Sequence, residues 1–143
     1  MTQKRIWIRL IHMKKTLLIL TLTAPLLFTP CAEGASLDDF INATHQVEAS
    51  GSLNPPDGRY GEIGPFQITE PYWIDSGVKC TFQECRDYNT AIKVMIEYFK
   101  RYEHKALLNG DYESLARLHN SGPGWAKKKH LTDGYWAKVK KNL

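Results

Sequence analysis

Cysteine is scarce in this 143-residue chain, with only Cys31, Cys80 and Cys85. That excludes a fold stapled by several disulfides. The gap between Cys80 and Cys85 is too long for a CxxC redox pair, and no partner set completes a zinc tetrahedron. No metal or cofactor is expected. Long apolar runs are also missing: Leu17 to Phe28 is too short for a comfortable membrane span. Internal repeats, low-complexity tracts and interdomain linkers are absent.

The short apolar run has another use. Met13-Lys14-Lys15-Thr16 precedes it and Ala32-Glu33-Gly34 follows, the layout of a secretory signal peptide. Residues 1–34 are expected to be such a leader, cleaved near Gly34/Ala35, with Met13 as an alternative start. An uncleaved anchor is the other reading, and a lipoprotein through Cys31 is disfavoured by Pro30. The product would be exported, periplasmic or secreted, with no stable membrane span. In an oxidising compartment the two remaining cysteines, Cys80 and Cys85, are expected to join, free thiols being the alternative.

Excess charge is lacking outside that leader. The formal net charge is +4, and Lys4, Arg5, Arg9, Lys14 and Lys15 against Glu33 carry all of it. Residues 35–143 are neutral, so nucleic acid is not an expected partner. The bases are nevertheless uneven. Lys127, Lys128, Lys129, Lys138, Lys140 and Lys141 crowd the last stretch, as a solvated face or as a patch steering toward anionic cell-wall polymers.

What is present reads as one α+β, mainly helical domain over 35–143. Ser36 to Asp39 is a capping-box start, and Leu37, Phe40, Ile41, Thr44 and Val47 follow at helical spacing. Ala49 to Gly64, rich in glycine and proline, predicts a loop and a small β-hairpin ending at Phe66–Ile68. Pro71 opens a helical turn that Gly77 stops. Ile92, Met95, Ile96 and Phe99 mark a buried central helix from about Glu84 to Ala106. Asp111 to His119 is a further helix, Asn120 to Gly124 a breaker, and a last short helix starts near Thr132.

The chemistry lies in two carboxyls. Glu48 falls where the first helix runs out, and Asp57 lies in the turn before Gly64-Pro65-Phe66-Gln67-Ile68. A glycosidase needs one carboxyl protonated, to release the leaving oxygen, and one ionised, to face positive charge at the sugar carbon. Glu48 follows an apolar helix face, and its partial desolvation favours the protonated form. Asp57, among backbone amides and Arg59, favours the ionised form. The bland alternatives are an exposed helix-end carboxylate and a turn former after Pro55-Pro56. Glu62 competes for a catalytic role. Gln67, His119 and Asn120 are candidate sugar contacts or turn caps. Among Tyr72, Trp73, Trp125, Tyr135 and Trp136, Trp125 is the best candidate for stacking on sugar, the rest reading as core. His45, one turn before Glu48, either touches it or is solvated.

Four stretches resemble the invertebrate-type (destabilase) lysozymes. They are Val47-Glu48-Ala49-Ser50-Gly51, Gly64 to Gly77, Leu115 to Pro123 with its His119-Asn120-Ser121-Gly122-Pro123, and Gly134 to Val139. They fall in family order across nearly all of 35–143. The resemblance implies a lysozyme-like fold with a hairpin beside the active-site cleft. It also implies cleavage of the β-1,4 bond between N-acetylmuramic acid and N-acetylglucosamine in peptidoglycan glycan strands. It maps the general acid onto Glu48 and the nucleophile or ion stabiliser onto Asp57. A monomer is expected, with a proteinaceous lysozyme inhibitor as a further partner. A lytic transglycosylase using Glu48 alone and a non-catalytic glycan-binding module are the alternatives. Few cysteines, Ser76 and Ile63 where the family often has cysteine, Thr69 where it often has lysine, and Ser121 for a glycine are departures. The family's reported isopeptidase activity is not carried over.

Overall fold

The computed structural model describes residues 34–143. The expected leader up to Glu33, with Met13 and Cys31, lies outside them. Helix α1 spans Leu37–Ala49. Its capping box forms as expected: Asp39 N–H donates to Ser36 Oγ and Ser36 N–H to Asp39 Oδ2. Ser50, at φ 51°, ends the helix in the left-handed region. Glu48 therefore sits in the last turn, above a buried face of Phe40, Ile41, Ala43 and Thr44.

Helices α2 (Glu70–Ser76), α3 (Tyr88–Tyr102), α4 (His104–Asn109), α5 (Tyr112–Ser121) and α6 (Asp133–Asn142) follow. Short 3₁₀ segments cover Phe82–Arg86 and Trp125–Thr132. α3 is the centre, with Ala91, Val94, Met95 and Phe99 fully buried. α2 packs on α3, while α6 bridges α1 and α5. Phe40 of α1 stacks on Tyr112 of α5, ring centroids 5.0 Å apart.

The expected helix from Glu84 to Ala106 is divided. Thr81 and Glu84 cap the 3₁₀ turn, and Asp87 then accepts from Thr90 N–H at 2.8 Å and restarts the chain as α3. At the other end Glu103 (φ −138°, ψ 46°) separates α3 from α4. These polar breaks do not disturb the apolar stripe, which is why periodicity alone ran through them.

The small β-hairpin is reduced to a single antiparallel bridge, Ile63 with Ile68. Each donates its N–H to the other's carbonyl at 2.9 Å. Between them Gly64 (φ 72°) and Gln67 (φ 47°) are left-handed, and Pro65 has no N–H to give. Thr69 then caps α2, accepting from Tyr72 N–H, so no strand continues beyond Ile68. Glycine is required at position 64: a Cβ there would lie 2.2 Å from the Cys85 carbonyl. Cys80 and Cys85 are free thiols in this structure. Burial first, then the neighbouring Cys80, pushes the Cys85 thiol up to about 12.

Candidate functional site

An open cleft of about 650 Å³ runs between the ends of α1, α2 and α5 and the turn over residues 57–62. Glu48 lines it, its side chain only 18 % exposed. Two other helices reach that carboxyl. Tyr135 of α6 donates to Oε1 at 2.6 Å. His119, in the last turn of α5 and 4 % exposed, places Nε2 3.5 Å from the same oxygen. Behind it, the Tyr72 hydroxyl of α2 lies 3.1 Å from His119 Nδ1. Tyr72 in turn stacks on Tyr98 at 3.6 Å between centroids. Burial holds the Tyr72 and Tyr135 hydroxyls well above their ordinary range, so both stay protonated.

This network corrects the expected protonation of Glu48. Burial is the largest single influence and does raise its pKa. The His119 hydrogen bond and charge, the Tyr135 hydrogen bond and the charge of Lys138 act the other way. Together they bring Glu48 below its ordinary value. The carboxyl is desolvated, yet its donors favour the ionised form.

A buried arginine sets the register of the helices that carry these donors. Arg117 lies two residues before His119 and Asp133 two before Tyr135. Arg117, 4 % exposed, pairs with Glu113 at 2.9 Å and with Asp133 at 2.8 Å. It also donates to the Lys129 carbonyl and to Thr132 Oγ1, both at 2.8 Å. One guanidinium thus joins α5 to the start of α6.

Of the candidates read from sequence, Glu48, Gln67, His119 and Asn120 all line the cleft. Gln67 also holds its wall together, donating to the Gly64 carbonyl at 3.0 Å and toward that of Pro56 at 3.5 Å. Its left-handed backbone is strain at a site, where strain is commonly found. Trp125 is not in the cleft lining. Its indole N–H donates to Glu103 Oε1 at 3.0 Å and its ring packs on the core. Asp57 is not in the lining either. It is 51 % exposed and clasped by Arg86, whose guanidinium donates to Asp57 Oδ1 and Oδ2 at 2.5 and 2.8 Å. The Arg86 hydrogen bond lowers the Asp57 pKa against an opposing desolvation, and the Arg86 charge adds to the lowering. Its neighbour Gly58 and the competing carboxyl Glu62 do face the cleft.

His45 is neither solvated nor on Glu48. It is buried beside Phe66 and Tyr88, with Nε2 2.9 Å from the Ser52 carbonyl. The role of Tyr135 as a donor to Glu48 was not legible, since 87 residues separate the two. Its aromatic character spoke only for core or stacking. Among the described residues no cluster of His, Cys, Asp and Glu is arranged to hold a metal. None of their helices is long and apolar enough to cross a membrane.

Comparison with known proteins agrees with the motifs. The family described as Destabilase matches residues 45–142. A lysozyme of Ostrea edulis is 35 % identical over 128 residues, covering 85 % of this chain and 92 % of the relative. A lysozyme of Magallana gigas is 41 % identical over 78 residues, 53 % of this chain and 56 % of its own. An invertebrate-type lysozyme of Ruditapes philippinarum is 36 % identical over 80 residues, 54 % and 58 % of the two chains.

Proposed function

The chain belongs to the destabilase family of invertebrate-type lysozymes, and on that premise we propose how its cleft works as a muramidase. The reaction is hydrolysis of the β-1,4 bond between N-acetylmuramic acid and N-acetylglucosamine. The observation that carries the site assignment is Glu48, desolvated on the cleft wall and held by donors from two other helices.

In this reading Glu48 is the general acid. Tyr135 and His119 fix its rotamer, so the other oxygen, Oε2, is the one presented to the glycosidic oxygen. A sugar filling the cleft removes the remaining water and strengthens the burial effect, which favours the protonated carboxyl. Glu48 then gives its proton to the leaving oxygen. After departure of the first sugar it takes a proton from the incoming water. Gln67 and Asn120 supply hydrogen bonds to N-acetyl or hydroxyl groups at the two sides of the cleft.

The second carboxyl has two candidates. Asp57 is the one implied by the family's spacing, and its pairing with Arg86 keeps it ionised. To reach the anomeric carbon it must leave Arg86. Glu62 already faces the cleft, which is the specific observation in its favour. A retaining course needs the two carboxyls about 5–5.5 Å apart across the sugar bond. Asp57→Asn and Glu62→Gln separate the candidates: the true second carboxyl loses most turnover, the other little.

The lysozyme-named relatives favour hydrolysis over a transglycosylase or a non-catalytic module. The proposal further includes export, action as a monomer, a Cys80–Cys85 bond in an oxidising compartment, and binding by a proteinaceous inhibitor. The basic residues at the C-terminal end are exposed, which supports steering toward anionic wall polymers. Release of reducing ends from purified peptidoglycan by the wild type, and not by Glu48→Gln, is the test of the site. Equal release by both would remove Glu48 from it.

A further inference from the structure

The turn over residues 58–62 that lines the cleft is tightly pinned. Gly58 N–H donates to the Glu62 carbonyl at 2.8 Å, Gly61 N–H to the Gly58 carbonyl at 3.2 Å, and Tyr60 N–H to Glu62 Oε2 at 2.9 Å. Its inner side has no slack, since a Cβ on Gly58 would sit 2.2 Å from Glu62 Oε2 and 2.8 Å from Gln67 Oε1. Arg59 and Tyr60 are left at the tip, and both line the cleft that Glu48 faces.

Tyr60 is 81 % exposed, more than any other large hydrophobic side chain among the described residues. Burying an aromatic ring stabilises a fold strongly. A ring kept out of the core on a rigid turn contributes nothing of that kind. The Arg59 guanidinium lies 5.6 Å from the Tyr60 ring centroid, a cation–π distance that orders both side chains. It covers one face of the ring and leaves the other to solvent. Arg59 has no ion-pair partner among the described residues. The nearby acid, Glu62, makes no ion pair with it and accepts instead from Tyr60 N–H at 2.9 Å.

We propose that Arg59 and Tyr60 form a subsite at the cleft rim for a peptide-bearing muramyl residue. The sugar ring lies on the open face of Tyr60, and Arg59 binds a carboxylate of the lactyl-linked stem peptide. An aromatic ring offers an apolar face that fits the C–H face of a pyranose, and a guanidinium fork fits a carboxylate. Together they tell peptidoglycan apart from an uncharged N-acetylglucosamine polymer. The inference rests on the muramidase reading and adds which substituent of the strand the enzyme reads.

The test uses two soluble glycans from one peptidoglycan preparation, one with stem peptides and one stripped of them by an amidase, its exposed lactyl carboxylates then capped as neutral methylamides. Tyr60→Ala should raise KM on both by about tenfold, ~1.4 kcal/mol, with a much smaller change in kcat. Arg59→Gln should raise KM about three- to fivefold on the peptide-bearing glycan only, a modest effect for an exposed pair. Arg59→Lys should recover part of the loss. KM within twofold of wild type for Tyr60→Ala, or an equal effect of Arg59→Gln on both glycans, would overturn the subsite. If the wild type cleaves neither glycan, the muramidase reading fails instead. Calorimetric binding of the same two glycans to the same variants then decides the subsite independently.

Discussion

Replacing Arg117 by Met tests the link between the α5–α6 joint and the site. Removing one partner of a buried ion pair typically costs 3–5 kcal/mol, because the other charge is stranded. Here the stranding is partial. Asp133 is exposed and regains water, Glu113 keeps Lys129 at 3.0 Å, and Thr132 Oγ1 still donates to the Lys129 carbonyl. The expected loss is therefore lower, about 2–3 kcal/mol. For a domain of this size that lowers Tm by roughly 8–15 °C. Acid sensitivity supplies a second signature. The Lys129 hydrogen bond first, then Arg117, holds Glu113 below its ordinary value against burial. Its stabilisation is full above the unfolded pKa and lost as pH falls through the folded one. Arg117→Met should flatten that acid slope. Thermal unfolding by circular dichroism at several pH values reads both effects. Lysis assays well below Tm should show a drop larger than the unfolded fraction explains, since His119 and Tyr135 lose their register on Glu48. A Tm within about 2 °C of wild type, or full activity in a destabilised variant, would refute the reasoning.

Three further outcomes are expected. Tyr135→Phe removes a donor that favours ionised Glu48, so the alkaline limb of the kcat/KM profile should move to higher pH. The lost bond should also cost about 1 kcal/mol or more in turnover, and a limb that stays or moves down would contradict the network. If the Arg86 pairing orders the turn around Asp57, Arg86→Gln should loosen it and change kcat/KM, whereas Asp57→Asn should lose most turnover only if Asp57 is the second carboxyl; parallel kinetics with Glu62→Gln decide. Cys80 and Cys85 should be joined in protein recovered from an oxidising compartment, and with Cys85 pushed up to about 12 uncatalysed closure at neutral pH should be slow. Two titratable thiols in unfolded exported protein would remove that claim.

The helices were legible because their signals are local. Ser36 and Asp39 announced α1, Pro71 and Gly77 bounded α2, and the stripe through Phe99 marked α3. The division of α3 from its neighbours escaped because Asp87 and Glu103 act through backbone conformation that hydrophobic period does not register. The expected hairpin is only one bridge: Phe66 and Ile68 alternate like a strand, while Gly64 and Gln67 turn the chain left-handed between the bridged residues. In the site, motif residues Glu48, Gln67, His119 and Asn120 came together. What sequence lacked was long-range partnership: Tyr135 on Glu48, Arg86 on Asp57 and Glu103 on Trp125 all depend on how helices pack. The protonation of Glu48 followed the same pattern. Its burial could be read from the helix face, but the donors that outweigh that burial arrive from α5 and α6.

The central claim is a hydrolysis driven by Glu48, and the products of the reaction report on it most directly. Purified peptidoglycan should be digested with the wild type and with Glu48→Gln, and the muropeptides weighed by mass spectrometry. The account predicts fragments with reducing N-acetylmuramic acid ends from the wild type. It predicts none above background from Glu48→Gln, since general acid catalysis contributes roughly 10²–10⁴-fold. Fragments ending in 1,6-anhydro-muramic acid, each lighter by one water, or undiminished release by the folded Glu48→Gln variant, would contradict it.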